Sequence, residues 1–212
     1  MKGIFVTGTD TGIGKTVVSA ALMNAIRDRE PVCYWKPIQT GIEDDDDTKT
    51  VLELAGCSDE EVHNKGFRLE KPLSPHLSAR LANVEITIEK VLGFIKNKDE
   101  GKFWIVEGAG GILVPLNERE LMIDLMRSLR LPALIVARSG LGTINHTLLT
   151  LEKLRKREVK ISGVVLNGVP NRENKEAIEH YGKVAVLAEM PRFEKIDAET
   201  VQTWSDQTKI WR

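Results

Sequence analysis

The sequence predicts an α/β fold: a doubly wound, mainly parallel sheet of about six to seven strands flanked by helices. Three observations carry this expectation. Short apolar runs alternate with longer helical patterns along the chain, the signature of parallel strands joined by right-handed crossovers. Most of those runs are nearly all apolar rather than alternating, as strands covered on both faces are. The first run leads straight into a glycine-rich segment, Gly8–Thr16, which opens the first helical pattern.

The strand candidates in order are Gly3–Thr7, Val32–Trp35, Phe103–Val106, Ala133–Ala137, Ile161–Leu166 and Val184–Leu187. The helix candidates are Lys15–Arg29, Thr48–Ala55, Ile86–Asn97, Glu120–Leu129, Asn145–Arg157 and Arg172–His180. In the fifth of these, Leu148, Leu151 and Leu154 form one apolar stripe, with Lys153, Lys156 and Arg157 mostly outside it, which marks a core-facing helix. The segment from Glu194 onward is polar and carries no clear pattern. There is no internal repeat and no linker, so residues 1–212 are expected to form one domain.

Composition narrows the function classes. The chain has 212 residues, 42% of them hydrophobic, and a net charge of −1. That balance gives no basic field for nucleic acid. Its two cysteines, Cys33 and Cys57, fall in no metal-ligand spacing, and Cys33 lies in an apolar run as a small core residue does. The first strand pattern starts at once, which leaves no room for a signal peptide, and no apolar run approaches the ~18–20 residues of a membrane span. The expectation is a cytoplasmic protein without a membrane partner.

In ligand-binding sheets of this kind, chemistry gathers beyond the carboxyl ends of the strands. Gly8-Thr9-Asp10-Thr11-Gly12-Ile13-Gly14-Lys15-Thr16 sits at the first such end. Small residues let backbone N–H groups converge on an anion, and the helix beginning near Lys15 adds the positive end of its dipole. Lys15 is placed to reach the β- and γ-phosphates, and the Thr16 hydroxyl to ligate Mg²⁺. Five residues, rather than the usual four, separate Gly8 from Gly14.

Further candidates follow the later runs. Lys36 leaves the second run pointing toward the phosphate loop, with Pro37 restricting it to extended backbone and Gln39-Thr40-Gly41 close behind. Glu107 ends the third run and precedes Gly108-Ala109-Gly110-Gly111. A carboxylate there is not buried without a partner, because an unpaired charge is costly. One of Asp44–Asp47 could complete an Mg²⁺ site with Thr16 and Glu107, since Mg²⁺ takes hard oxygen ligands. Spacing does not choose among the four, and Asp47 is also a plausible N-cap for the helix at Thr48. Asn167 follows the fifth run, and its amide suits an adenine edge. The absence of a guanine-reading Asn-Lys-x-Asp string points the same way. The turn Gly140–His146 opens a helix and forms a second anion site, suited to carboxylate or phosphate.

Taken together, these residues resemble dethiobiotin synthetase, a family with a P-loop NTPase fold. The resemblance runs from Gly3 to Phe193. It rests on Gly8–Thr16, Lys36-Pro37 with Gln39-Thr40-Gly41, Ser74-Pro75-His76, Glu107–Gly111, Gly142-Thr143-Ile144-Asn145-His146, Asn167 and Glu189-Met190-Pro191. It implies ring closure of 7,8-diaminononanoate with CO₂ (or bicarbonate) and ATP, through a carbamate and a carbamic-phosphoric anhydride, giving dethiobiotin, ADP and phosphate.

It also implies roles. Lys36, Lys15 and Thr11 would be catalytic. Asp10, Thr11, Gly12, Ile13, Gly14, Lys15, Thr16 and Val17 would hold ATP phosphates. Asn167, Pro191, Arg192 and Phe193 would receive adenine. Thr16, Asp47 and Glu107 would hold Mg²⁺, Asp47 being chosen because the family's aspartate directly precedes the next helix. Thr40, Gly110, Gly142, Thr143, Ile144 and Asn145 would bind substrate, the last four across a homodimer interface. Two residues depart from the family pattern: Gly12 stands where many members have glutamate, and Arg192 where many have tryptophan. The nearest alternative is a ParA/MinD-like ATPase. Such loops resemble Lys-Gly-Gly-x-Gly-Lys-Thr, and aligning them on Gly14-Lys15-Thr16 puts Asp10 where their first lysine falls.

Overall fold

The computed structural model describes residues 1–43, 45–96, 101–208 and 210. Its elements in chain order are β1 (Lys2–Gly8), α1 (Lys15–Arg27), β2 (Val32–Trp35), β3 (Ile38–Thr40), α2 (Asp47–Ala55), β4 (Val62–His63), β5 (Phe67–Leu69), α3 (Pro75–Leu81), α4 (Ile88–Gly93) and β6 (Phe103–Gly111). They continue with α5 (Met122–Leu129), β7 (Ala133–Arg138), α6 (Thr143–Lys156), β8 (Ile161–Asn167), α7 (Arg172–Gly182), β9 (Val186–Met190) and α8 (Ala198–Thr208).

The main sheet is seven-stranded in the order β4-β2-β6-β1-β7-β8-β9, and all its pairings are parallel. From β1 the chain works outward to β2 and β4 on one side, returns to β6, then crosses to β7, β8 and β9. The strand order therefore reverses beside β1, where open α/β sheets bind ligands. A second, two-stranded parallel sheet pairs β3 with β5.

The apolar runs are buried on both faces because alternate residues feed two cores. In β1, Ile4 and Val6 pack with Leu22 and Ile26 of α1, while Phe5 packs with Met122 and Ile123 of α5. In β6, Phe103 and Ile105 share the α1 face, and Trp104 and Val106 share the other. That two-residue period carries Glu107 onto the α1 side.

Several expected boundaries move. The last strand is Val186–Met190 rather than Val184–Leu187. It is an edge strand with Leu187 exposed and Glu189 only half-buried, so an all-apolar run is the wrong template for it. The helix expected over Ile86–Asn97 runs only from Ile88 to Gly93, with Thr87 as its N-cap, and Asn97 lies outside the described residues. The unassigned tail contains α8. Its Val201 and Trp204 are buried with Val18 and Leu22 in one core, and Ser205 Oγ donates to the Ala21 carbonyl at 2.9 Å. Two apolar positions three apart are enough to dock it, but too few to stand out in a polar segment. The described residues contain no helix long and apolar enough to cross a membrane.

Candidate active site

The phosphate loop is built by glycine geometry. Gly14 caps α1 at φ 90°, and a Cβ there would meet Asn167 Nδ2 at 2.5 Å. Only glycine accepts both that backbone and that approach. Asn167 Nδ2 donates to the Ile13 carbonyl at 2.7 Å, so the end of β8 holds the loop while its amide oxygen remains an acceptor. Thr9 N donates to the Val136 carbonyl at 3.0 Å, which ties the loop to β7. Thr11 and Gly12 are exposed at the loop's crest.

Register brings the next residues together. Trp35 pairs with Val106 across β2 and β6, so Lys36, just past the end of β2, comes beside Glu107 within β6. Lys36 Nζ lies 2.8 Å from Glu107 Oε1 and 2.6 Å from Asp47 Oδ2, and donates to the Gly108 carbonyl at 3.0 Å. Thr16 Oγ donates to Asp47 Oδ1 at 2.7 Å and stands 3.2 Å from Glu107 Oε1. Lys15 is buried, with Nζ donating to the Asp10 carbonyl at 3.1 Å.

The charges of this cluster respond to burial and to each other. Burial alone would lower the Lys36 pKa, but Glu107 and Asp47 outweigh it and hold the ammonium above its ordinary value. Burial would raise the Asp47 carboxyl, yet Lys36 pulls it below the usual carboxylate range. Lys15 lies below its ordinary value, first through burial and then through repulsion by Lys36. An added anion would favour the charged ammonium and so offset both causes, which suits a phosphate site.

Asp47 is not the N-cap of α2. That place belongs to Asp46, whose carboxylate accepts from Thr48 N at 3.0 Å and Lys49 N at 3.3 Å and pairs with Arg68. With Asp46 as cap, Asp47 becomes the first helical residue, and its carboxylate reaches Thr16 and Lys36. Asp45 is exposed, and Asp44 lies outside the described residues.

Sequence reasoning missed three contributors. Ser19 Oγ and Tyr34 Oη both donate to Glu107 Oε2, at 2.8 and 3.1 Å. Burial, and then Glu107, push the Tyr34 phenol well above its ordinary pKa, so it remains a donor. Arg138, at the end of β7, lies 3.3 Å from Asp10 Oδ2. The available signals were slight: a hydroxyl one turn past the loop in α1, a tyrosine within an apolar strand, and an arginine at a strand end.

A cavity of about 700 Å³ adjoins the loop and is lined by Gly12, Ile13, Asn167, Pro191, Arg192 and Phe193. It gathers the residues assigned to adenine, and Val17 lines it too. Gly110 meets the loop: a Cβ there would lie 3.5 Å from Thr11 Oγ1. Thr40 is half-buried at the end of β3. The turn before α6 stands apart. Gly142 caps that helix at φ 90°, Asn145 is exposed, and Ile144 is half-buried. Thr143 is buried with Oγ1 turned to Thr147, and its N–H donates to the Gly140 carbonyl at 3.2 Å. A larger cavity, about 780 Å³, lies between α3, α4 and the Leu116–Glu120 loop. Its Asn117 and Glu120 are spent on each other and on the Ile86 carbonyl and Ile88 N, away from the phosphate loop.

Thr16, Asp47 and Glu107 offer hard oxygen donors around one point, as Mg²⁺ requires. Among the described residues no group of three His, Cys, Asp or Glu could hold a metal by itself. The set therefore fits a cation shared with substrate phosphates, the usual arrangement for Mg²⁺.

A family model described as an AAA domain, AAA_26, matches residues 2–200. The ATP-dependent dethiobiotin synthetase BioD of Paramagnetospirillum magneticum is 49% identical over 201 residues, covering 95% of this chain and 93% of that protein. The chain belongs to the dethiobiotin synthetase family. The Agrobacterium fabrum member is 44% identical over 92% of this chain and 89% of its own length. The biotin biosynthesis bifunctional protein BioCD of Bordetella avium is 46% identical over 207 residues, and there the match spans 97% of this chain but 43% of the relative. Among solved structures, a ParA family ATPase from Chlorobium tepidum superposes with a TM-score of 0.62 at 13% identity, over 96% of this chain and 97% of that one. The MinC:MinD complex of Aquifex aeolicus gives 0.61 at 16% identity, over 99% and 93%. At those identities the likeness is one of fold, and the ParA/MinD alternative has no further support.

Proposed function

We propose that this chain is a cytoplasmic, single-domain, homodimeric enzyme that closes the ureido ring of dethiobiotin in biotin synthesis. The observation that carries this reading is the convergence of Lys15, Lys36, Thr16, Asp47 and Glu107 at the mouth of the phosphate loop. Membership of the dethiobiotin synthetase family supports it.

In this reading one amine of 7,8-diaminononanoate attacks CO₂, forms a C–N bond and loses a proton to give a carbamate. A carbamate oxygen then attacks the γ-phosphorus of ATP, and the bond to the ADP oxygen breaks. The second amine attacks the carbamoyl carbon, inorganic phosphate leaves with the C–O electron pair, and a proton is lost as the ring closes. Both nucleophilic amines belong to the substrate, so no side chain forms a covalent intermediate.

Lys15 and Lys36 neutralise charge spread over the transferring phosphoryl group and the carbamate, the main lever in such transfers. Thr11, Thr40 and Gly110 orient the carbamate oxygens. Backbone N–H groups from Gly12 to Val17, with Asp10 shaping the turn, cradle the phosphates. Asn167 Oδ1 accepts from the adenine amino group, between Pro191, Arg192 and Phe193. Thr16, Asp47 and Glu107 hold Mg²⁺, which when bound offsets the charge of the β- and γ-phosphates. The Gly142–Asn145 turn of the second subunit receives the nonanoate carboxylate.

The test is phosphate release from ATP with bicarbonate, with and without 7,8-diaminononanoate, and mass analysis of the product. Release that depends on the diamine, with a cyclised product, is expected. Turnover indifferent to the diamine would overturn the reading.

A further inference from the structure

Glu107 uses its two oxygens differently. Oε1 faces Lys36 Nζ at 2.8 Å and Thr16 Oγ at 3.2 Å. Oε2 accepts from Ser19 Oγ at 2.8 Å and from Tyr34 Oη at 3.1 Å. Ser19, Tyr34 and Glu107 are all fully buried. The Tyr34 ring lies in an apolar cluster with Ile4, Phe103 and Ile105, where phenylalanine would fill nearly the same volume. Burying a hydroxyl is costly unless it gains a hydrogen bond, and this one is spent on Glu107.

We propose that Tyr34, together with Ser19, is a positioning residue that makes Glu107 a one-oxygen ligand for the divalent cation of the ATP complex. This rests on the functional reading above. Two neutral donors from separate elements, α1 and β2, occupy the lone pairs of Oε2 and stop rotation about the Cγ–Cδ bond. Oε1 alone then faces the Thr16 hydroxyl. Tyr34 also lies two residues before Lys36, so one strand sets both the orientation of the carboxylate and the position of its ammonium partner. Without the phenol the carboxylate turns and offers Lys36 both oxygens, in competition with the cation. Outer partners of metal ligands typically govern 10–100-fold in metal affinity.

The probe is Mn²⁺, followed by electron paramagnetic resonance on the full-length chain with a non-hydrolysable ATP analogue. Tyr34→Phe is expected to weaken Mn²⁺ binding about tenfold, while metal-free binding of the analogue in EDTA stays unchanged. Ser19→Ala is expected to shift Mn²⁺ in the same direction and decides the matter by the same criterion if Tyr34→Phe does not fold. A merely structural hydroxyl would lower the melting temperature without moving the Mn²⁺ titration, and that result would overturn the inference. Wild-type protein that holds no Mn²⁺ with the analogue would overturn both this inference and the functional reading. Wild type and Tyr34→Phe holding it equally would overturn this inference alone.

Discussion

Lys36 Nζ stands 2.6 Å from Asp47 Oδ2, joining the end of β2 to the first residue of α2. The same ammonium reaches Glu107 of β6 at 2.8 Å. One buried cation thus holds a buried and a half-buried carboxylate from different elements, and the three charges are stable only as a set.

Replacing Lys36 tests that dependence. Lys36→Met is expected to lower turnover by at least about 100-fold, the scale of losing one stabilising group. It also leaves Asp47 and Glu107 without their shared counter-charge, at a cost of about 3 kcal/mol. The double variant Lys36→Met/Glu107→Gln is expected to regain part of that stability and none of the turnover. Urea unfolding read beside phosphate release separates the two effects.

Lys15 should behave in the opposite way. It is buried, repelled by Lys36, and bonded to a neutral carbonyl. Lys15→Met is expected to stabilise the ligand-free chain by about 1 kcal/mol, as stored cost at functional sites commonly allows, while ATP binding is lost. Calorimetry with and without ATP checks both halves, and a less stable variant would contradict the assignment.

Acid should release Asp47. Its folded pKa lies below the unfolded value of about 3.9. The contribution is therefore complete above that unfolded value and is lost as pH falls through the depressed folded one. Asp47→Asn is expected to flatten stability against pH in that acid window, seen in melts from neutral pH downward. An unaltered acid limb would refute the pairing.

The adjacent aspartates should separate cleanly. Asp46→Ala removes the cap of α2 and the Arg68 partner and is expected to cost about 1 kcal/mol with the Mg²⁺ requirement nearly unchanged. Asp47→Ala is expected to raise that requirement strongly. Equal Mg²⁺ titrations for the two variants would mean that the cap and the ligand had been confused.

Glu107→Gln keeps the shape and the partners on Oε2 but removes the charge. It is expected to raise the Mg²⁺ concentration for half-maximal turnover at least tenfold, measured by Mg²⁺ titration at saturating ATP.

Much of this site was legible in the chain because its parts are local. The phosphate loop is one contiguous string, and Lys36, Glu107 and Asn167 each end or directly follow an apolar run. The less legible parts depend on residues far apart. Ser19 and Glu107 are 88 positions apart, and their meeting depends on how α1 lies across β6. Asp46 and Asp47 are chemically alike neighbours. Their roles diverge only because the α2 axis sends one carboxylate back to its own backbone N–H groups and the other toward Thr16.

By itself the sequence determined the parallel architecture, the glycine-rich loop that opens the first helix and the charged residues that follow the apolar runs. Each follows from apolar periodicity and short-range spacing, which the backbone reads within a few residues. The tertiary structure alone decided which aspartate meets Thr16, that Tyr34 and Ser19 share Glu107, and that α8 closes the core against α1. Those outcomes depend on register and helix packing, where a shift of one residue turns a side chain to the opposite face.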